Sequence, residues 1–308
     1  MTTDPTPASA PLDRPFTSSE AASLGFSYRD LLKEDVRHVS RELYIPRGTD
    51  HRLVDRLRAH LAVAPGGWGS HRTAAAIHGL WLPESAGDHR LLHVSRKAGG
   101  QRVRRTGVVG HRVRVLPEEI ETVAGGVHVT TPARTWFDMA HELGPVALTA
   151  MGDQLIRKPR SKLECRAEPY ATTARLTEML RAHPNVKGLA KLRAALADMR
   201  VGSDSIPETL LRLALLAYGF PEPELQIALR PFDPFSPTGD MGYPEIRVVL
   251  QYEGAHHREE DQQLKDARRD AAFRAAGWIV IHVTAEDLRD DFDRIRRELR
   301  VLFSKRAA

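Results

Sequence analysis

Gly239-Asp240-Met241-Gly242-Tyr243-Pro244-Glu245-Ile246-Arg247-Val248-Val249-Leu250-Gln251-Tyr252-Glu253-Gly254 decides how the last third of the chain is read. Ile246 to Leu250 is a short, nearly all-apolar run between Pro244 and Gly254, which predicts a strand buried on both faces. Gln251 and Glu253 leave its end on alternate positions and so share one face, with Asp240 on the strand before or at its mouth. Oxygen-bearing side chains gathered at a strand end suit a hard divalent cation.

Working outward, a charged helix from about Glu260 to Ala276 and an apolar strand from Trp278 to Val283 make a crossover unit. Before the stretch lies Pro207-Glu208 followed by a leucine-rich helix. Glu208 in the first turn reads either as a capping acid favoured by the helix dipole or as a carboxylate facing the cation. Pro207-Glu208, Asp240, the strand ending in Gln-x-Glu-Gly-x-x-His257, then Asp266, Arg269 and Gly277-Trp278, together resemble the nuclease-like domain related to the very-short-patch-repair endonucleases. That domain belongs to the restriction-endonuclease-like PD-(D/E)xK superfamily. The resemblance implies a central mixed sheet flanked by helices over residues 203–308. It also implies a Mg²⁺ or Mn²⁺ ion held by Asp240, Gln251 and Glu253, with Glu208 turned toward it. His257 or His256 would orient the attacking water or protonate the leaving oxygen. Arg258, Lys265, Arg268 and Arg269 would neutralise phosphate charge.

The departure from the family pattern, Glu-x-Asp-Gly, that matters is Gln251, which brings a neutral amide where a carboxylate is usual. Glu253 occupies the place of the superfamily's strand lysine. Two functions are therefore expected in parallel. One is a Mg²⁺-dependent DNA endonuclease in DNA repair or defence against foreign DNA. The other is a catalytically degenerate, antitoxin-like transcriptional regulator that binds DNA or a toxin partner, needs no cofactor and cuts nothing.

The 308 residues carry a formal net charge of +5, with 42% hydrophobic and 28% charged positions. That profile is globular, long enough for two or three domains, and modestly suited to an acidic partner such as nucleic acid. Cys165 stands alone, so neither an internal disulfide nor a thiol-rich zinc site can form, which fits a reducing cytoplasm. Residues 1–15 read as a disordered tail without signal-peptide order, and no apolar run reaches membrane-spanning length.

From Phe16 to Gly48 the pattern is helix, glycine turn, helix and basic strand, the outline of a winged helix-turn-helix. Thr17 and Glu20 form a capping box, and Ser27 caps a second helix expected from Tyr28 to about Val39. "FTSSEAASLGFSYRDLL…RELYIPRG" followed by "GWGSHRTAAAIHGLWLP" is similar to the N-terminal region of AbiEi-type antitoxins of type IV toxin–antitoxin systems. If the second helix enters a major groove, Tyr28, Arg29, Lys33 and Arg37 lie on or near its exposed face, with Arg41 and Arg47 on phosphates.

An antitoxin-like α/β domain is expected over 49–157. Its helix His51–Val63 ends at Pro65-Gly66-Gly67, and Ser70 is read as the cap of a helix from His71 to Gly79, not as a nucleophile paired with His71. Alternating runs at 91–94, 108–115 and 127–129 predict a small β-rich unit, with Arg96, Lys97, Arg102, Arg104, Arg105, Arg112 and Arg114 crowding its connections. Thr131-Pro132 opens a further helix. His141 and Asp153 are read as surface or core-edge groups, residues 158–202 as a linker with helices, and 288–303 as a closing amphipathic helix.

Overall fold

The computed structural model describes residues 13–47, 51–84, 90–160, 164, 166–254 and 260–307, the side chains of 260–262 and 307 excepted. The chain divides into two compact units, Met1–Leu143 and Gly144–Ala308, each mixing helices and strands, so the fold is α+β overall. His256, His257 and Arg258 lie outside the described residues.

The N-terminal unit opens with β1 (Phe16–Thr17), α1 (Ser18–Ser23), α2 (Tyr28–Leu31), β2 (Val36–Ser40) and β3 (Leu43–Pro46). Thr17 Oγ1 accepts the Glu20 N–H at 3.1 Å while the Glu20 carboxylate accepts the Thr17 N–H at 2.7 Å, and Ser27 and Asp30 repeat the device at α2. The three strands form an antiparallel sheet in the order β1-β3-β2. The second helix stops at Leu31 instead of running to Val39. Residues 36–40 pair with β3 as a strand, which suits β-branched Val36 and Val39 better than a helix does. Val36 still reaches the cluster of Phe16, Ala21, Leu31 and Tyr44, so its spacing from Leu31 imitated a helical stripe. Arg37 consequently stands on a strand and not on a helix.

Next come α3 (Leu53–Ala62), β4 (Trp68–Gly69), α4 (His71–Ile77), β5 (Leu92–Lys97), β6 (Val108–Val113), β7 (Ile120–Val123), β8 (Val127–Thr130) and α5 (Pro132–Met139). The five strands order as β6-β5-β4-β8-β7, with β5–β6 and β4–β8 parallel. Leu57, Ala74, Leu92, Val94, Val127 and Val129 form their core. Ser70 sits at the N-terminus of α4, but its hydroxyl caps nothing; it bonds the Ser95 hydroxyl at 2.6 Å and His71 Nδ1 at 2.9 Å. His71 itself has φ of 49°, a left-handed backbone that brings its ring beside its neighbour's hydroxyl, against the expectation from regular helix geometry.

The C-terminal unit holds α6 (Pro145–Ile156), α7 (Thr173–Ala182), α8 (Leu189–Asp198), α9 (Ile206–Ala217), β9 (Glu224–Ala228), β10 (Thr238–Tyr243), β11 (Val248–Tyr252), α10 (Glu260–Ala275), β12 (Ile279–Val283), α11 (Ala285–Arg289) and α12 (Asp293–Ala307). The sheet order is β12-β11-β10-β9: β9, β10 and β11 make an antiparallel meander, and β12 returns parallel to β11 through the α10 crossover. The key strand starts at Val248, because Pro244–Ile246 forms a 3-10 turn and Arg247 takes a left-handed φ of 49°. Gly242 is required on β10, since a Cβ there would stand 2.4 Å from the Val248 carbonyl oxygen.

Three further expectations change. Helix α6, assigned by sequence to the antitoxin-like segment, packs on α8 and α9 in the C-terminal unit, which also contains the polar stretch read as an interdomain linker. Asp153 is not at a core edge. It is buried, and its Oδ2 accepts from Arg212 Nη2 at 3.0 Å and from the Thr209 hydroxyl at 2.9 Å. The closing helix is broken at Asp291 and Phe292, both left-handed, which turns the Phe292 ring into the core. No helix among the described residues is long and apolar enough to cross a membrane.

Candidate metal and nucleic-acid site

Alternation along β11 sorts its side chains. Val248 and Leu250 pack with Met241, Leu211 and Leu215 on one face, while Val249 faces Ile227 and Phe273 on the other. Gln251 belongs to this second face by the period of two. Met241 pairs with Leu250 at the end of the β10–β11 ladder, with Asp240 one residue beyond it, and on the other side Gln251 pairs with His282 of β12.

Asp240 and Gln251 have distinct environments. Asp240 Oδ2 accepts the Tyr252 N–H at 2.7 Å. Burial raises the Asp240 pKa, against the opposing pull of that N–H and of the Arg269 and Arg160 charges. Gln251 is only 1% exposed, and neither amide atom has a hydrogen-bond partner among the described residues. A buried amide that stays unpaired costs about 1–3 kcal/mol.

Glu208 fulfils the capping role, at the head of α9. Its Oε1 accepts from the Ser205 hydroxyl at 2.7 Å and its Oε2 from the Asp204 N–H at 2.9 Å, while Ser205 Oγ accepts the Glu208 N–H at 3.4 Å. Burial first, and the charge of Asp240 second, push its pKa up to about 7. Two carboxylates crowded in a poorly solvated corner cannot both ionise cheaply, whereas a divalent cation between them would reverse that penalty.

Glu253 turns elsewhere. Its Oε1 lies 2.7 Å from His282 Nδ1, and His282 Nε2 lies 2.9 Å from Asp270 Oδ2. The expected ligand set thus divides: the charge of Asp240 acts on Glu208, while Glu253 joins His282 and Asp270. Among the described residues these acids do not gather three carboxylate ligands into one tight cluster. The role of His282 and Asp270 escaped the sequence because it depends on the parallel β11–β12 register. The chain's alternation does hold a signal for it, since His282 interrupts the apolar run of β12.

The basic residues are distributed. Tyr28, Arg29, Lys33 and Arg37 are exposed; Arg41 and Arg47 approach Glu42 and Asp35 at 3.6 and 3.7 Å. Lys265 is exposed, and Arg269 Nη1 contacts Asp266 at 3.2 Å. In the N-terminal unit, Arg102, Arg104 and Arg112 line an open cleft of about 700 Å³ with Gly99, Gly100 and Gln101. None of these three arginines forms an ion pair among the described residues. The same unit brings together His71, His93 and His111, which no local spacing announces.

No protein-family model matches the chain. It is similar to two uncharacterised proteins of Mycobacterium tuberculosis, from strains CDC 1551 / Oshkosh and H37Rv. Each is 24% identical over 225 residues, covering 72% of this chain and 76% of the relative.

Proposed function

We propose that the C-terminal unit holds a divalent cation through Glu208, Asp240 and Gln251 and acts on the phosphodiester backbone of DNA, as a metal-dependent endonuclease of the restriction-endonuclease-like kind. The observation that carries this reading is the pairing of Glu208 and Asp240, two acids whose pKa values are raised by burial, beside a buried glutamine amide that finds no partner among the described residues. The helix–meander–helix–strand order and the parallel return of β12 support the same ancestry.

The donor set is all oxygen, which suits Mg²⁺ or Mn²⁺. When bound, such an ion polarises a phosphoryl oxygen and makes a water more acidic. The chain's own contribution is positional. The Tyr252 N–H fixes one Asp240 oxygen, and Ser205 with the Asp204 N–H fixes the Glu208 carboxylate. Arg269 adds positive charge beside Asp240. The N-terminal sheet with α1 and α2, read as a winged helix-turn-helix, and the arginine-lined cleft supply contacts to DNA phosphates. The protein works in the cytoplasm in this account.

The test is plasmid DNA incubated with the full chain and Mg²⁺ or Mn²⁺, beside an Asp240→Ala variant. Metal-dependent nicking abolished by the substitution is expected; equal nicking by both proteins would overturn the reading. A second reading rests on Gln251 and on Glu253, which stands at the lysine position and is engaged by His282. It makes the chain an antitoxin-like regulator that grips DNA or a toxin protein without cutting. DNA binding without cleavage, with cleavage appearing in Gln251→Glu, would favour it.

A further inference from the structure

The geometry points to a transition-metal site in the N-terminal unit, formed by His71, His93 and His111 and suited to Zn²⁺ or Co²⁺. These residues come from the first turn of α4, from β5 and from β6. Each offers a nitrogen, and the three nitrogens lie within 4.8 Å of one another. His93 Nδ1 and His111 Nε2 are 3.1 Å apart. Two nitrogens bound at 2.0–2.1 Å to one tetrahedral ion are about 3.3 Å apart, so this pair already has the required separation. The ring of His71 lies 3.8 Å from that of His111, centroid to centroid. The two rings stack at 14°, so an ion shared by both requires one of them to turn out of the stack.

The surroundings match those of a ligand set. Ser70 Oγ engages His71 Nδ1 at 2.9 Å, which leaves Nε2 to coordinate, as outer-shell partners of metal-bound histidines do. Glu142 Oε1 lies 3.6 Å from His93 Nδ1 and is the nearest candidate for a fourth ligand; water is the other. Arg72 engages the same Glu142 carboxylate and holds it in place. Burial pushes His71 down to about 2 and His93 and His111 down to about 4, so all three imidazoles are neutral at physiological pH, the form that binds metals. A hydrogen bond between His93 and His111 accounts for one contact, but not for a third neutral imidazole brought beside them on a left-handed backbone. Nitrogen donors separate this site from the all-oxygen set of the C-terminal unit, and the inference does not rest on any nuclease activity.

The full chain, stripped with EDTA, is titrated with Co²⁺ alone and followed by visible absorption, then challenged with Zn²⁺. One equivalent should produce the intense ligand-field bands of a four-coordinate, nitrogen-rich ion, and Zn²⁺ should abolish them. His93→Ala and His111→Gln should each weaken binding by more than the ~10- to 100-fold that losing an outer-shell partner costs. Asp240→Ala should leave the bands unchanged. Thermal melts guard against misfolding: the His111→Gln chain should keep its metal-free melting temperature and lose the rise that Zn²⁺ gives the wild type. Absence of the bands and of the Zn²⁺-induced rise in the wild type would overturn the proposal, as would bands of equal strength in both histidine variants.

Discussion

Glu208, at the head of α9, and Asp240, on β10, share one electrostatic environment: the charge of Asp240 adds to burial in raising the Glu208 pKa to about 7. The consequence is a measurable pH dependence. A carboxyl whose folded pKa exceeds its ordinary value contributes stability that is complete below about pH 4.5 and is lost as pH rises toward 7. A shift of this size corresponds to about 3 kcal/mol as an upper figure. Chemical denaturation of wild type and Glu208→Gln between pH 4.5 and 7.5 should show the variant losing less stability over that window; parallel curves would contradict the assignment.

Gln251 separates stability from function. Replacing it with leucine removes a buried amide that has no partner among the described residues, so Gln251→Leu should stabilise the chain by about 1–3 kcal/mol. The same change should weaken divalent-cation binding at Asp240. Denaturant midpoints and cation titration of one preparation check both halves, and a destabilised variant would mean that the amide is already well satisfied.

Arg212 is fully buried and joins Asp153 of α6 to α9, also reaching the Asp198 carbonyl at 2.8 Å. Removing Arg212 strands the Asp153 charge away from water, whereas removing Asp153 leaves Arg212 paired with Glu222 at 3.2 Å. Arg212→Ala should therefore cost about 3–5 kcal/mol in urea unfolding, and Asp153→Ala less. Nearly additive losses in the double variant would show the two groups to be uncoupled.

The helical and apolar parts of this architecture were the most legible. Capping at Thr17, Ser27 and Thr131, the α10 crossover and the β12 strand all follow from local signals, because a cap or an apolar period needs only a few neighbouring residues. Val36 and Val39 misled because a short strand beside a short helix can copy a helical stripe. The two-residue β4 has no period to read, and the hydroxyl of Ser70, correctly placed at the start of α4, turns to Ser95 and His71 because the left-handed φ of His71 is invisible in the letters. At the candidate site, the burial of Gln251 on the face it shares with Val249 was within reach of strand alternation. The engagement of Glu253 by His282, the burial of Asp153 and the convergence of three histidines all depend on contacts between residues distant in sequence.

The arginine cleft predicts a salt dependence. Every cation that neutralises a duplex phosphate adds about 0.9 to the steepness with which log K falls against log salt. The triple variant Arg102→Ala, Arg104→Ala, Arg112→Ala should thus bind duplex DNA more weakly and with a slope shallower by about 2–3. Fluorescence anisotropy across a salt series gives the value, and an unchanged slope would place DNA elsewhere on the protein.

Cation binding at Asp240 is the claim on which the functional reading most directly stands. Mn²⁺ titrated into the full chain at pH 7.5 and followed by electron paramagnetic resonance counts the bound ions. Wild type should hold one Mn²⁺ that Asp240→Ala loses and that His93→Ala, which disrupts the separate histidine cluster, retains. A wild type that binds no Mn²⁺, or an Asp240→Ala variant that binds it equally well, would contradict the claim.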